Sequence, residues 1–183
     1  MVQHLKAALR KDMLRKRDAL SKEDVASMSG RIAKSLRKCD RYAKAKTVAF
    51  YLPKGNEVDT SGMIKAAQKD GKEVIVPVTD HQITFFRFVS QDDLSPGRFG
   101  IQEPRSRTIP SKEPDVIIVP GVSFGLCMHR LGYGKGYYDR YLSKSPAYRI
   151  GVCFDFQVAE KLPHHEDDER MDEILTEKRA IKL

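Results

Sequence analysis

Apolar positions change period along the chain, and the changes divide it. From residue 2 to about 20 the spacing predicts a helix, with Leu5, Leu9, Met13 and Leu20 on one face. Ser21, with Asp24 three residues on, predicts an N-cap with a weak capping box. A second helix follows, with Val25, Met28, Ile32, Leu36 and Cys39 at helical spacing. The period then shortens to that of strands. Thr47–Leu52, Glu73–Pro77, Ile83–Phe88, Asp115–Val119, Arg149–Phe154 and Ile174–Thr176 are short apolar runs, several ended by Pro or Gly. Met63–Lys69 predicts a modest helix that stops at Gly71. Residues 90–114 are rich in Pro, Gly, Ser and charge and predict loops. Apolar strands alternating with helices imply βα units, an α/β fold and a mostly parallel sheet covered on both faces. No repeat, low-complexity linker or composition break divides the chain, so a single domain over 1–183 is expected. In such sheets ligands sit in the loops at the carboxyl ends of strands, here after Leu52, Val119 and Phe154.

Charge adds a second pattern. The net charge is +8 over 183 residues, but residues 1–46 hold 14 Lys+Arg against 5 Asp+Glu, and the remainder is close to neutral. A nucleic-acid arm, a targeting peptide or a helix facing an anionic ligand would each explain a basic first quarter. Asp12 and Asp18 interrupt the first helix and periodicity continues past it, which argues against a cleaved presequence. Residues 1–41 contain no aromatic, which argues against nucleic acid. At about 100° per residue, Lys6, Arg10 and Arg17 share a ~40° sector at the edge of the apolar face, while Lys11, Arg15 and Lys16 lie elsewhere. The first set is expected to point into a groove and the second into water. No apolar run approaches the roughly 20 residues needed to span a bilayer, so no membrane partner is expected. Cys39, Cys127 and Cys153 form neither a disulfide framework nor a metal-binding pair by spacing, which suits a reducing compartment such as the cytosol.

The candidate chemistry is concentrated in Arg130–Leu131–Gly132–Tyr133–Gly134–Lys135–Gly136–Tyr137–Tyr138–Asp139. Glycines at alternate positions let backbone N–H groups approach an anion. Arg130 and Lys135 can neutralise phosphate oxygens, and a helix start after Gly136 favours negative charge. Asp139 is placed to hold a metal ion that a phosphate also coordinates. The tyrosines offer flat surfaces to a heterocycle. The spacing is neither that of a Walker A loop nor a complete dinucleotide fingerprint.

With Pro120–Gly121 before it, this segment resembles the signature of the 5-formyltetrahydrofolate cyclo-ligase family. Lys6–Ala7–Ala8–Leu9–Arg10, Leu52 through Glu57, Leu94 through Pro104, and Leu162 through Asp172 with Ile174–Glu177 match further family motifs in order. The resemblance implies a Rossmann-like three-layer α/β sandwich with two N-terminal helices, a cytosolic monomer, and ATP- and Mg2+-dependent closure of 5-formyltetrahydrofolate to 5,10-methenyltetrahydrofolate. It implies ATP contacts at Lys6–Arg10 and Arg130–Tyr138, with folate contacts at Leu52, Glu57 and Tyr133–Tyr137. It also implies metal carboxylates at Asp139 and Asp172, and participation of Arg130, Lys135 and Tyr137 in the chemistry. Departures fall in 163–168, where His165 and Asp167 replace the family's usual Glu and His, and at Gly125–Leu126, where an Asp is usual. His164 and His165 read as part of a solvated loop, and the roles of Arg17 and Asp168 stay open. A sugar-phosphate or coenzyme A enzyme on a similar sheet is the competing reading; it would need neither both aspartates nor ATP hydrolysis.

Overall fold

The computed structural model describes residues 2–166 and 168–182. Helices α1 (Val2–Asp18), α2 (Lys22–Lys38) and α3 (Asp40–Lys44) precede strand β1 (Thr47–Ala49). Ser21 caps α2 as expected, its hydroxyl accepting the Asp24 amide. Helix α4 (Ser61–Lys69) leads to β2 (Glu73–Thr79) and β3 (Ile83–Arg87), and the loop-rich stretch then holds a small hairpin, β4 (Leu94–Pro96) with β5 (Gln102–Pro104). After it come β6 (Val116–Val119), β7 (Ser123–Gly125), β8 (Arg130–Leu131) and α5 (Tyr137–Leu142). The chain ends with β9 (Tyr148–Val152), β10 (Val158–Ala159), β11 (Glu173–Leu175) and β12 (Ala180–Lys182).

The main sheet has the order β12-β11-β9-β6-β1-β2-β3. Its five inner strands are parallel and both edge pairs are antiparallel. Both faces are covered, which is why Val116–Val119 is apolar without alternation. Val116 and Ile118 face one core with Ile32 and Leu36 of α2 and Ile64 of α4. Ile117 and Val119 face the other core with Phe124, Met128 and Leu142 of α5. The second layer on that side includes a three-stranded sheet, β10-β7-β8. The α/β three-layer expectation therefore holds. The chain leaves β1 toward β2 on one side and returns to β6 on the other, so a crevice opens at the carboxyl ends of β1 and β6.

Phe124 is fully buried where the small sheet meets the main one. A Cβ on Gly151 would lie 2.4 Å from its ring, and one on Gly121 would lie 2.6 Å away. Neither ring nor strand can retreat, so Gly151→Ala is expected to destabilise the protein by about 1–3 kcal/mol through overpacking. Urea unfolding midpoints for the two proteins check this.

Candidate functional site

Helix α1 runs along the crevice, and its buried residues are Lys6, Met13 and Arg17. The inward face thus carries cations, Lys6 and Arg17, together with Met13, while Leu5 is 52% exposed. Ala7 and Ala8 face solvent, as do Lys11, Arg15 and Lys16. A cation removed from water needs a partner, and each inward cation has one. Lys6 Nζ lies 2.5 Å from Asp168 Oδ2. Arg10 Nε donates to the Gly132 carbonyl at 2.9 Å. Arg17 Nη2 donates to the Tyr133 hydroxyl at 2.6 Å, with Nη1 3.8 Å from Glu57 Oε1.

Glu57 is buried in the loop after β1. Its Oε1 accepts the Tyr133 hydroxyl at 2.8 Å and its Oε2 accepts the Lys54 amide at 2.9 Å. Asn56 beside it donates to the carbonyls of Arg17 and Leu20, fastening this loop to the end of α1. Leu52 is buried next to the same loop. Burial of its hydroxyl end and the neighbouring Glu57 carboxylate push the Tyr133 pKa up to about 12, although the ring is half exposed.

The glycine segment begins as β8 and ends at α5. Gly134 (φ 94°) and Gly136 (φ 66°) occupy backbone conformations that side chains rarely adopt. A Cβ on Gly132 would lie 2.7 Å from Arg130 Nη1, and one on Gly134 would lie 3.5 Å from Arg10 Nη2. The loop therefore fits around two guanidinium groups. Arg130 is buried, pairs with Asp139 Oδ1 at 3.0 Å and lies over the Tyr138 ring. Arg140 lies over Tyr137, so two of the flat surfaces already carry a cation. Lys135 is exposed at the loop tip. Leu131 is buried and positions the loop rather than facing it. Helix α5 has only six residues, so backbone dipole alignment there is slight.

Arg10, Arg17, Glu57, Arg130, Tyr133 and Asp139 are thus brought to one end of the sheet, with the glycine loop between them. Asp172 is not. Its carboxylate accepts the Arg149 amide at 2.7 Å, at the amino end of β9. It lines an open cleft of about 730 Å3 with Arg41, Lys44, Lys46, Lys112 and Arg149 at that end. This opening is a cation-rich surface away from the glycine loop. The two expected metal carboxylates have different surroundings: Asp139 pairs with Arg130 beside the glycine loop, and Asp172 accepts the Arg149 amide at the start of β9. Asp139 alone fits a Mg2+ that brings phosphate and water ligands with it, since such ions commonly take only one or two protein carboxylates. The sequence leaves the role of Arg17 open, although its place in the Lys6–Arg10 sector is the signal for it. Asp168 and Asn56 gave no such signal. Asp167 lies outside the described residues.

Residues 2–177 match the family model described as the 5-formyltetrahydrofolate cyclo-ligase family. A probable 5-formyltetrahydrofolate cyclo-ligase of Schizosaccharomyces pombe is 32% identical over 180 residues, covering 86% of this chain and 88% of that protein. The 5-formyltetrahydrofolate cyclo-ligase of Escherichia coli K12 is 32% identical over 171 residues, covering 88% and 94%. The solution structure of Aquifex aeolicus 5,10-methenyltetrahydrofolate synthetase superposes with a TM-score of 0.87 at 40% identity, covering 98% of this chain and 93% of that one.

The Lys6–Asp168 pair gives a pH signature. Burial raises the Asp168 pKa, but the Lys6 ammonium and the His165 amide outweigh it and hold the carboxyl below its ordinary value. A depressed carboxyl contributes stability above its unfolded pKa and loses it as pH falls through the folded one. Asp168→Asn is expected to cost about 1–2 kcal/mol at pH 7. The difference from the parent protein should fade once pH drops below about 4. Denaturant midpoints at pH 7 and pH 3 measure both.

Proposed function

The chain belongs to the 5-formyltetrahydrofolate cyclo-ligase family, and we propose that it closes 5-formyltetrahydrofolate to 5,10-methenyltetrahydrofolate with ATP and Mg2+, releasing ADP and phosphate. The observation that carries this is the convergence of buried α1 cations, a glycine loop and Glu57 on one crevice.

Phosphoryl transfer is chiefly positioning and charge neutralisation. Arg10 and Arg130 lie against the glycine loop, and Lys135 stands at its tip, so an ATP tail laid on the loop would meet three cations and unobstructed backbone amides. Lys6 is held one stripe position away and can exchange Asp168 for a phosphate oxygen. Glu57 presents two carboxylate oxygens, suited to paired N–H donors of a pterin ring, with Leu52 as the apolar wall. Tyr133 and Tyr137 line the folate side of the same loop. Mg2+, held by Asp139, would supply further neutralisation of phosphate charge.

The terminal phosphoryl group passes to the formyl oxygen, leaving ADP. The N10 lone pair then attacks the activated formyl carbon, N10 gives up its proton to water, the carbon–oxygen bond breaks and phosphate departs. The chain's part is to bind both substrates in contact and to keep cations on the phosphate oxygens throughout.

Incubation with 5-formyltetrahydrofolate and Mg-ATP is expected to generate the ultraviolet absorbance of the methenyl product. No absorbance change at saturating substrate would overturn the function. Arg130→Ala and Lys135→Ala should each lower turnover by about 100-fold, the loss typical of removing one electrostatic contact to a transition state. Asp139→Asn should raise the Mg2+ concentration needed for half-maximal rate, while Asp172→Asn should leave it unchanged and lower only stability. The opposite ranking would return the metal to Asp172.

A further inference from the structure

Among the described residues, Cys127, His129 and His164 offer a sulfur and two ring nitrogens within 4.8 Å of one another. Cys127 and His129 flank Met128 in the turn between β7 and β8. That turn is fixed: the Met128 amide donates to Gly125 O, the Gly125 amide donates to His129 O, and Met128 O accepts the Met171 amide at 2.8 Å. Cys127 is a free thiol, half-buried.

His129 is only 4% exposed, yet its Nδ1 has no hydrogen-bond partner. An unsatisfied buried polar atom costs about 1–3 kcal/mol unless something takes it up. Arg170 Nε donates to Nε2 at a long 3.5 Å, so a metal at Nδ1 requires exposed Arg170 to swing away and the ring proton to move to Nε2. His164 stacks on His129 with ring centroids 3.9 Å apart. Its Nδ1 is 2.9 Å from the Leu162 carbonyl, which leaves Nε2 as its ligand atom. A ring N–H held on a backbone carbonyl is the usual support of a metal-bound histidine.

We propose that Cys127, His129 and His164 form a binding site for Zn2+, distinct from the Mg2+ that accompanies ATP. One thiolate and two imidazoles suit Zn2+, with water completing a tetrahedron, and the set has no oxygen ligand to attract Mg2+. Zinc bonds of about 2.0–2.3 Å place ligand atoms roughly 3.5 Å apart. The cluster must therefore draw in by about 1 Å. Exposed His164 supplies that movement by turning out of its stack, while Cys127 and His129 stay on the fixed turn. The ion would tie the segment carrying His164 and Asp168 to the turn that precedes Arg130.

Titration of the full chain with Co2+ should give the visible bands of a tetrahedral complex and a thiolate-to-cobalt charge-transfer band at one ion per chain. Cys127→Ser should abolish the charge-transfer band. His164→Ala should weaken Zn2+, measured against a chromophoric chelator, by at least about tenfold, the loss that even an outer-shell partner causes. Cys39→Ser and His165→Ala should change neither. His164 is exposed and Cys127 half-buried, and circular dichroism confirms that each variant is folded. Absence of the thiolate band, or Zn2+ affinity unaffected by Cys127→Ser and His164→Ala, would overturn the site. The result is independent of turnover, so it stands or falls apart from the proposed reaction.

Discussion

Charge buried on α1 is the constraint around which the crevice is built. Lys6, Arg10 and Arg17 occupy one stripe of that helix, and none can leave water without a partner. The partners come from distant segments: Asp168 before β11, the carbonyl of Gly132, and the Tyr133–Glu57 pair. Satisfying three cations therefore fastens the first helix to the glycine loop, the loop after β1 and the segment before β11 at once. The partners in hand are a carboxylate, a carbonyl and a phenol. A phosphate offers the same acceptor chemistry with more charge, so ligand entry becomes an exchange of partners and not a fresh burial of cations.

The two ends of the sheet use carboxylates differently. At the amino end, Asp115 Oδ2 accepts the amides of Lys46 and Thr47 where β1 starts. Asp172 Oδ2 accepts the Arg149 amide at the start of β9. Each aspartate stands one residue before the next parallel strand and closes the open amides of its neighbour. Two such contacts in one sheet identify a structural device. At the carboxyl end, Glu57 and Asp139 face arginines across the crevice instead. An Asp that precedes a strand and one that follows a glycine loop look alike in a motif, but the direction of the strand sets them at opposite ends of the sheet.

Most of the sheet was legible in the sequence because its inner strands are buried on both faces and so appear as unbroken apolar runs, Val116–Val119 above all. The shorter elements were not. β7, β8 and β10 have two or three residues each, too few to show a period, and β10 pairs with β7 from a segment more than 30 residues away. β12 is an edge strand ending in Lys182, which blunts its signal. For α1 the helix was legible, but its inward face holds Lys6 and Arg17 beside Met13 and not the whole apolar set. Apolar periodicity assumes that the inward face is greasy, whereas a helix over a ligand crevice turns its cations inward and leaves Leu5 outside. The same projection placed Arg17 beside Arg10, but no pattern along the chain could report Tyr133 and Glu57 as its partners.

The hairpin carrying Arg130 shows how so short a strand can hold a buried guanidinium in place. β8 is two residues long and its ladder alone would not fix it. Its far turn contains Met128 at φ 68°, an uncommon conformation for a side-chain residue. That conformation is compensated by placing the Met128 side chain fully in the core and its carbonyl on the Met171 amide. On the other strand, Ser123 Oγ donates to Gln157 O at 2.7 Å, and the Gln157 amide returns to Val122 O at 2.8 Å. The hairpin is thus anchored at both strands and at its turn, and what remains free is the stretch beyond Leu131. Rigid support ends where the glycines begin, so Arg130 is held in place while Gly134–Gly136 can settle on an anion.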